Sequence, residues 1–319
     1  IDGVVNGCPS VLLEPQRTNS ITYSEQFVDA PTGATNMDLF SGTITDNNTT
    51  SPNGNVTAMK FTTSSGSGAL LRIYQSDLST TSDNTFSIYA KKGTADSLSI
   101  GIAGGTSTDV TLTDEWQRLS VTDISTASKF IDVFLSGNVG EYIYIFGLQL
   151  EQGSYPTSYI PTNGTAVTRL ADTANGAGDA STFNDSEGVL YAEISAFDES
   201  LLAISLSNGT TSNGVILFYY LNRIYLEINN SLTNVSIFKS GIGSSNSNKI
   251  ALKYKSGNIS MFFNGYEILT STNAISLSGL DRINFDYGNG NYDFNGKIKQ
   301  IQYFNTALTD SELQQLTTI

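Results

Sequence analysis

The chain has 319 residues, past the roughly 250–300 at which one hydrophobic core stops growing, so two domains are expected. It carries 16 Lys and Arg against 30 Asp and Glu, a net charge of −14 without any Lys/Arg cluster. That sign excludes counterion-releasing contacts to nucleic acid and docking on an anionic membrane surface, and leaves neutral glycans or proteins as compatible partners.

Residues 1–20 read as an extended N-terminal segment. Its stretch Ser10-Val11-Leu12-Leu13-Glu14-Pro15 ends where Pro15 removes a ladder donor. Cys8, the lone cysteine, lies in Gly7-Cys8-Pro9 and is expected to be a small buried or linker residue; no internal disulfide is possible. Ile1 stands where a start Met would, as expected of a processed N-terminus or a piece of a longer protein. No leader-like segment is expected, and no apolar run approaches the ~20 residues that span a bilayer.

Over residues 21–165 apolar runs alternate with turn clusters. Strands are predicted at Ala58–Phe61, Leu70–Tyr74, Phe86–Ala90, Leu98–Ile102, Trp116–Val121, Phe130–Leu135 and Tyr142–Leu150. In the third, period-two alternation puts Phe86, Ile88 and Ala90 on one face. Residues 166–186, with the small-residue run Asn175-Gly176-Ala177-Gly178-Asp179, are expected to form a linker. The pattern restarts over 187–319, with strands at Val189–Ile194, Leu201–Leu206, Val215–Tyr220, Ile224–Ile228, Val235–Phe238, Ile250–Tyr254, Ile259–Phe263 and Ile298–Phe304. Gly257 and the Asn264-Gly265 pair mark tight hairpins. Thr309 with Glu312 three residues on forms a capping box, which predicts one short C-terminal helix through Leu316. The fold class is all-β: two tandem β-sandwich (jelly-roll) domains.

Two stretches resemble known families. Leu12-Leu13-Glu14-Pro15-Gln16-Arg17-Thr18-Asn19, Tyr23 to Phe27, Thr85 to Gly93, Glu115 to Arg118, and Phe146 to Gly153 running on to Tyr159-Ile160-Pro161-Thr162 are similar to the carbohydrate-binding-module-like jelly roll of phage tail and fibre proteins. Ile250–Tyr254 with Ile259 to Gly265, and Phe294 through Leu313, resemble a laminin-G or concanavalin-A-like lectin domain. The first resemblance implies a virion-surface appendage, a tail or head fibre. Its expected partners are a host surface polysaccharide or glycan and other virion proteins. The habits of such appendages imply a homo-oligomer, expected to be a trimer. The alternative is an accessory carbohydrate-binding region of a secreted bacterial polysaccharide-active enzyme or adhesin.

Chemistry is sparsely provided for. The histidine count is 0, which removes Ser-His-Asp and Cys-His nucleophiles and His-ligated zinc. Gly101-Ile102-Ala103-Gly104-Gly105 follows a predicted strand without a helix after it, so it is no phosphate loop. Glycosidase-type carboxylate pairs remain, Glu193 with Asp198 or Glu199 and Glu227 with Asp286, but no Glu-x-Asp-x-x-Glu arrangement converges two acids from one strand. No catalytic residues and no enzyme activity are expected. Sugars stack on aromatic faces and bond to amides and carboxylates. Asp286, Tyr287, Asn289, Asn291, Tyr292 and Asp293 combine these groups in one short segment. It is either a plain hairpin loop or a glycan site. No cofactor is required; calcium would suit the oxygen-rich side chains, although the spacing is not that of an EF-hand. Tyr219, Tyr220, Tyr225 and Trp116 are expected in cores.

Overall fold

The computed structural model describes residues 10–26, 36–103, 105, 107–126, 128–198, 200–230 and 234–319. Cys8, Phe27, Gly104 and Glu199 lie outside them. The chain divides into two compact units, residues 16–170 and residues 1–15 with 171–319; they are called the N-terminal and C-terminal units.

Chain order opens with β1 (Val11–Leu13), which belongs to the C-terminal unit. The N-terminal unit then holds β2 (Arg17–Asn19), β3 (Met37–Phe40), β4 (Gly42–Thr49), β5 (Ala58–Thr63), β6 (Ala69–Tyr74) and β7 (Asn84–Lys92). It continues with β8 (Ser97–Ile102), β9 (Thr108–Thr111), β10 (Gln117–Asp123), β11 (Phe130–Leu135), β12 (Tyr142–Gln152) and β13 (Val167–Arg169). Two five-stranded antiparallel sheets, β10-β7-β12-β5-β4 and β3-β6-β11-β8-β9, form a sandwich. The expected alternation holds: Phe86, Ile88 and Ala90 are fully buried between the sheets with Leu71, Ile73, Ile131 and Val133.

The opening and closing motifs of this unit are a polar buckle. Buried Asn19 uses every hydrogen-bonding site of its amide: Nδ2 donates to the Leu148 and Ile160 carbonyls at 3.1 and 2.9 Å, and Oδ1 accepts from the Ile21 and Leu150 amides, both at 3.1 Å. Buried Glu151 accepts from the Thr157 amide at 2.8 Å, the Thr157 hydroxyl at 2.6 Å and Gln149 Nε2 at 2.9 Å. Burying such groups is tolerable only because each is satisfied. The motif residues Asn19, Gln149 and Glu151 thus close the sandwich.

The C-terminal unit holds β14 (Asn175–Ala177), β15 (Glu187–Ala196), β16 (Leu202–Ser207), β17 (Gly214–Tyr219), β18 (Arg223–Asn229) and β19 (Asn234–Ser240). It ends with β20 (Asn248–Lys255), β21 (Ile259–Phe263), β22 (Tyr266–Ser271), β23 (Arg282–Asn284), β24 (Gly296–Phe304) and the helix α1 (Asp310–Thr317). Its two six-stranded sheets are β1-β24-β15-β20-β21-β22 and β14-β23-β16-β17-β18-β19. Leu190, Ile194, Ile204, Leu217, Leu226 and Leu252 fill the space between them. α1 lies on the outer face of the first sheet, where Leu313 meets Val189, Tyr191, Ala251 and Phe262. Both bonds of the Thr309–Glu312 capping box are present. Gly257 (φ +77°) turns β20 into β21 and Asn264-Gly265 (φ +48° and +86°) turns β21 into β22, as predicted.

Several expectations need correction. The extended segment before residue 20 supplies β1, whose Val11 pairs with Ile298 of β24, and Glu14 and Asp172 exchange backbone and side-chain bonds beside it. Residues 166–186 carry β13, paired with β2, and β14, paired with β23. Strands β3, β4, β9, β22 and β23 had no counterpart in the sequence pattern. Their sides are mostly polar or too short for period two to stand out. Trp116 is not in the core: it is half-buried just before β10, and its Nε1 donates to the Thr50 carbonyl at 3.1 Å.

Candidate functional site

The segment singled out by sequence connects β23 to β24 across residues 285–295 and lies over the outer face of the second C-terminal sheet. At Gly288 (φ +94°) an added Cβ would lie 3.0 Å from the Thr210 carbonyl and 3.3 Å from Ser207 Oγ, so a side chain there would be both crowded and strained. Asp286 is 1 % exposed; it accepts from Asn175 Nδ2 at 2.8 Å and from the Gly288 amide. Tyr287 donates its hydroxyl to Glu227 Oε2, while Glu227 Oε1 accepts from Asn229 Nδ2 at 2.7 Å. Burial, then the Glu227 carboxylate, raise the Tyr287 phenol well above its ordinary range. Burial, and next the charge of Asp286, raise the Asp293 carboxyl.

The six residues therefore split. Asp286 and Tyr287 fold inward and hold the loop through their side-chain bonds, and Asp293 is partly buried. Asn289, Asn291 and Tyr292 face solvent, Tyr292 being 55 % exposed. The expectation that both rings and both carboxylates would be offered together is corrected: the loop's own hydrogen bonds consume the Asp286 carboxylate and the Tyr287 hydroxyl. The Glu227 and Asp286 carboxylates are likewise engaged, and Glu193 accepts from Lys299 Nζ at 2.7 Å. Among the described residues no three acidic, cysteine or histidine side chains are placed to hold a metal ion.

Tyr287 continues a ladder of rings on the outer sheet face. Its ring lies 5.5 Å from Phe218, which stacks on Tyr225 at 4.4 Å, and Tyr225 lies 5.1 Å from Phe238. Phe218, Tyr225 and Phe238 are direct cross-strand partners on β17, β18 and β19. Tyr219 is buried, as expected, but Tyr225 is on this outer face and Tyr220 is 40 % exposed. With one parity, a strand apolar on both faces gives no sign of which face is the core.

A second aromatic surface, which the sequence pattern did not reveal, lies on the N-terminal unit. On the solvent face of β3-β6-β11-β8-β9 the register aligns Phe40, Leu70, Phe134 and Ser99 in one row and Asp38, Arg72, Asp132 and Gly101 in the next. Phe40, Tyr74 and Phe134 are exposed, at 47, 40 and 37 %. Arg72 donates through Nε and Nη2 to both oxygens of Asp132 at 2.8 and 2.7 Å, and its guanidinium lies 3.7 Å from the Phe130 ring centre. Gly101 places no side chain on the sheet. The result is a groove of about 470 Å³ lined by Ser99, Gly101, Phe130, Asp132 and Phe134. A neutral, planar ion pair between ring faces can bond hydroxyls above it while C–H edges rest on the rings.

No family model matches the chain, and no curated protein matches it. Solved structures similar to it include domains LG4-5 of the mouse laminin α1 chain, at 8 % identity over 77 % of this chain and 90 % of that one, with a TM-score of 0.33. The LG1-3 region of the laminin α2 chain is similar at 10 % identity over 76 % and 66 %, with a TM-score of 0.32. The binding domain of botulinum neurotoxin DC, solved with rat synaptotagmin II, is similar at 10 % identity over 96 % of this chain and half (50 %) of that one, with a TM-score of 0.28. Scores of this size transfer no ligand to this chain. The fold is an all-β tandem of sandwiches, and no helix among the described residues is long and apolar enough to cross a membrane.

Proposed function

We propose that this chain is a non-catalytic glycan-recognition component of a virion appendage, a tail or head fibre, assembled as a homo-oligomer on the virion surface. The observation that carries the glycan reading is the groove of the N-terminal unit, where exposed rings flank the Arg72–Asp132 pair. Asn289, Asn291 and Tyr292 of the C-terminal unit offer a smaller second contact, two amides beside one exposed ring. The lack of histidine and the engaged state of Glu227, Asp286 and Glu193 favour binding over hydrolysis. The appendage setting rests on the sequence resemblance of the N-terminal half.

The test incubates purified chain with immobilised host-surface polysaccharide and scores retention and new reducing ends in the same tube. Retention without new ends, lost in Phe134→Ala, is expected. Release of reducing ends would overturn the non-catalytic reading, and retention indifferent to Phe134 would overturn the groove.

A further inference from the structure

The hairpin between β17 and β18 is closed by Leu221 and Asn222, with reciprocal backbone bonds between Tyr220 and Arg223 at 3.0 and 3.1 Å. Both loop residues are left-handed, φ 49° and 57°. That is the two-residue turn for which Asn-Gly is the favoured sequence, because a bulky side chain at positive φ is strained. Leu221 nevertheless occupies it and is 64 % exposed, with its chain neighbour Tyr220 at 40 %. Among the described residues neither Tyr220 nor Leu221 joins a hydrophobic cluster of the C-terminal unit, so neither the strain nor the exposure is explained by folding.

On the opposite layer of the same sandwich α1 leaves an apolar groove of about 320 Å³, lined by Phe304, Leu308 and Leu316 with Glu312 and Gln315 at its rim. The tip belongs to one sheet and the groove lies outside the other, so a copy's tip cannot reach its own groove. Charges also match: Arg223, stacked 4.6 Å over Phe238, flanks the tip, and Glu312 flanks the groove in a chain that is otherwise strongly acidic. We propose that the Tyr220–Leu221 tip of one copy seats in the Phe304–Leu308–Leu316 groove of a second copy. The contact is head-to-tail: the two patches differ, so it propagates until a ring closes. A single knob in a single hole is a small interface, and association is correspondingly weak. The inference does not depend on glycan binding.

Sedimentation of the full chain tests it. Wild type is expected to associate as its concentration rises toward about 1 mM. Leu221→Asp should remain monomeric, and so should the double change Leu221→Asn with Asn222→Gly, which suits the turn better and guards against misfolding. On the groove side Leu308→Asp, or the surface change Gln315→Trp that fills the hole, should do the same. An equimolar mixture of Leu221→Asp and Leu308→Asp retains one intact tip and one intact groove, and should form dimers and nothing larger. A monomeric wild type, or a mixture that stays monomeric or assembles like wild type, would overturn the proposal.

Discussion

Arg72 and Asp132 face each other across β6 and β11 as a fork-to-fork pair, both N–H···O distances below 3 Å and both side chains about a quarter exposed. At that exposure the pair adds little to stability, on the order of 1 kcal/mol or less. Its geometry matters more for what lies above it.

Asp132→Asn keeps the shape and loses the charge balance. Retention on polysaccharide is expected to fall about tenfold, equivalent to about 1.4 kcal/mol, while the melting temperature barely moves. Affinity electrophoresis beside a thermal melt measures both; a large drop in melting temperature would mean the pair is structural.

Asn19→Ala should act in the opposite sense. It leaves two buried carbonyls and two buried amides without partners, and a loss of about 3 kcal/mol or more is expected. Chemical denaturation followed by tyrosine fluorescence reports it. A loss within about 0.5 kcal/mol, as at an ordinary surface site, would remove the buckle from the account of this unit.

Thr309→Ala breaks the capping box at α1, where Thr309 Oγ1 accepts from the Glu312 amide and Glu312 bonds back to Thr309. The expected cost is about 1 kcal/mol, seen as early fraying of α1 in amide exchange. Protection unchanged along residues 310–317 would contradict it.

Asp293 carries a pH signature. Its carboxyl is raised in the folded state by burial and then by Asp286, so between the ordinary Asp value near 3.9 and the raised one the folded chain binds more protons than the unfolded chain. Stability through this group is therefore present at low pH and is lost as pH rises through that window. Asp293→Asn should melt higher than wild type at pH 7, with the difference closing as the pH is lowered through the window. A difference that grows on acidification would reverse the assignment.

Much of the fold was legible in the sequence for local reasons. Period-two alternation located β7, with Phe86, Ile88 and Ala90 on one face, because a side-chain period of two has no other cheap solution. Thr309 and Glu312 marked the helix start, and Gly257 and Asn264-Gly265 their turns, since each rests on chemistry within four residues. The candidate loop was legible as composition only: Asn289, Asn291 and Tyr292 reach solvent, but nothing local says that Asp286 is spent on Asn175, 111 positions away.

The amino-acid sequence by itself determined the class, two all-β sandwiches without histidine chemistry, because strand period, turn residues and composition act over short distances. Only tertiary structure decided that Val11–Leu13 belongs to the C-terminal sheet, that Trp116 lies outside the core, and that Phe40, Arg72, Asp132 and Phe134 meet on one solvent face. Those outcomes depend on register between strands far apart in the chain, and register is set by the packing of whole sheets.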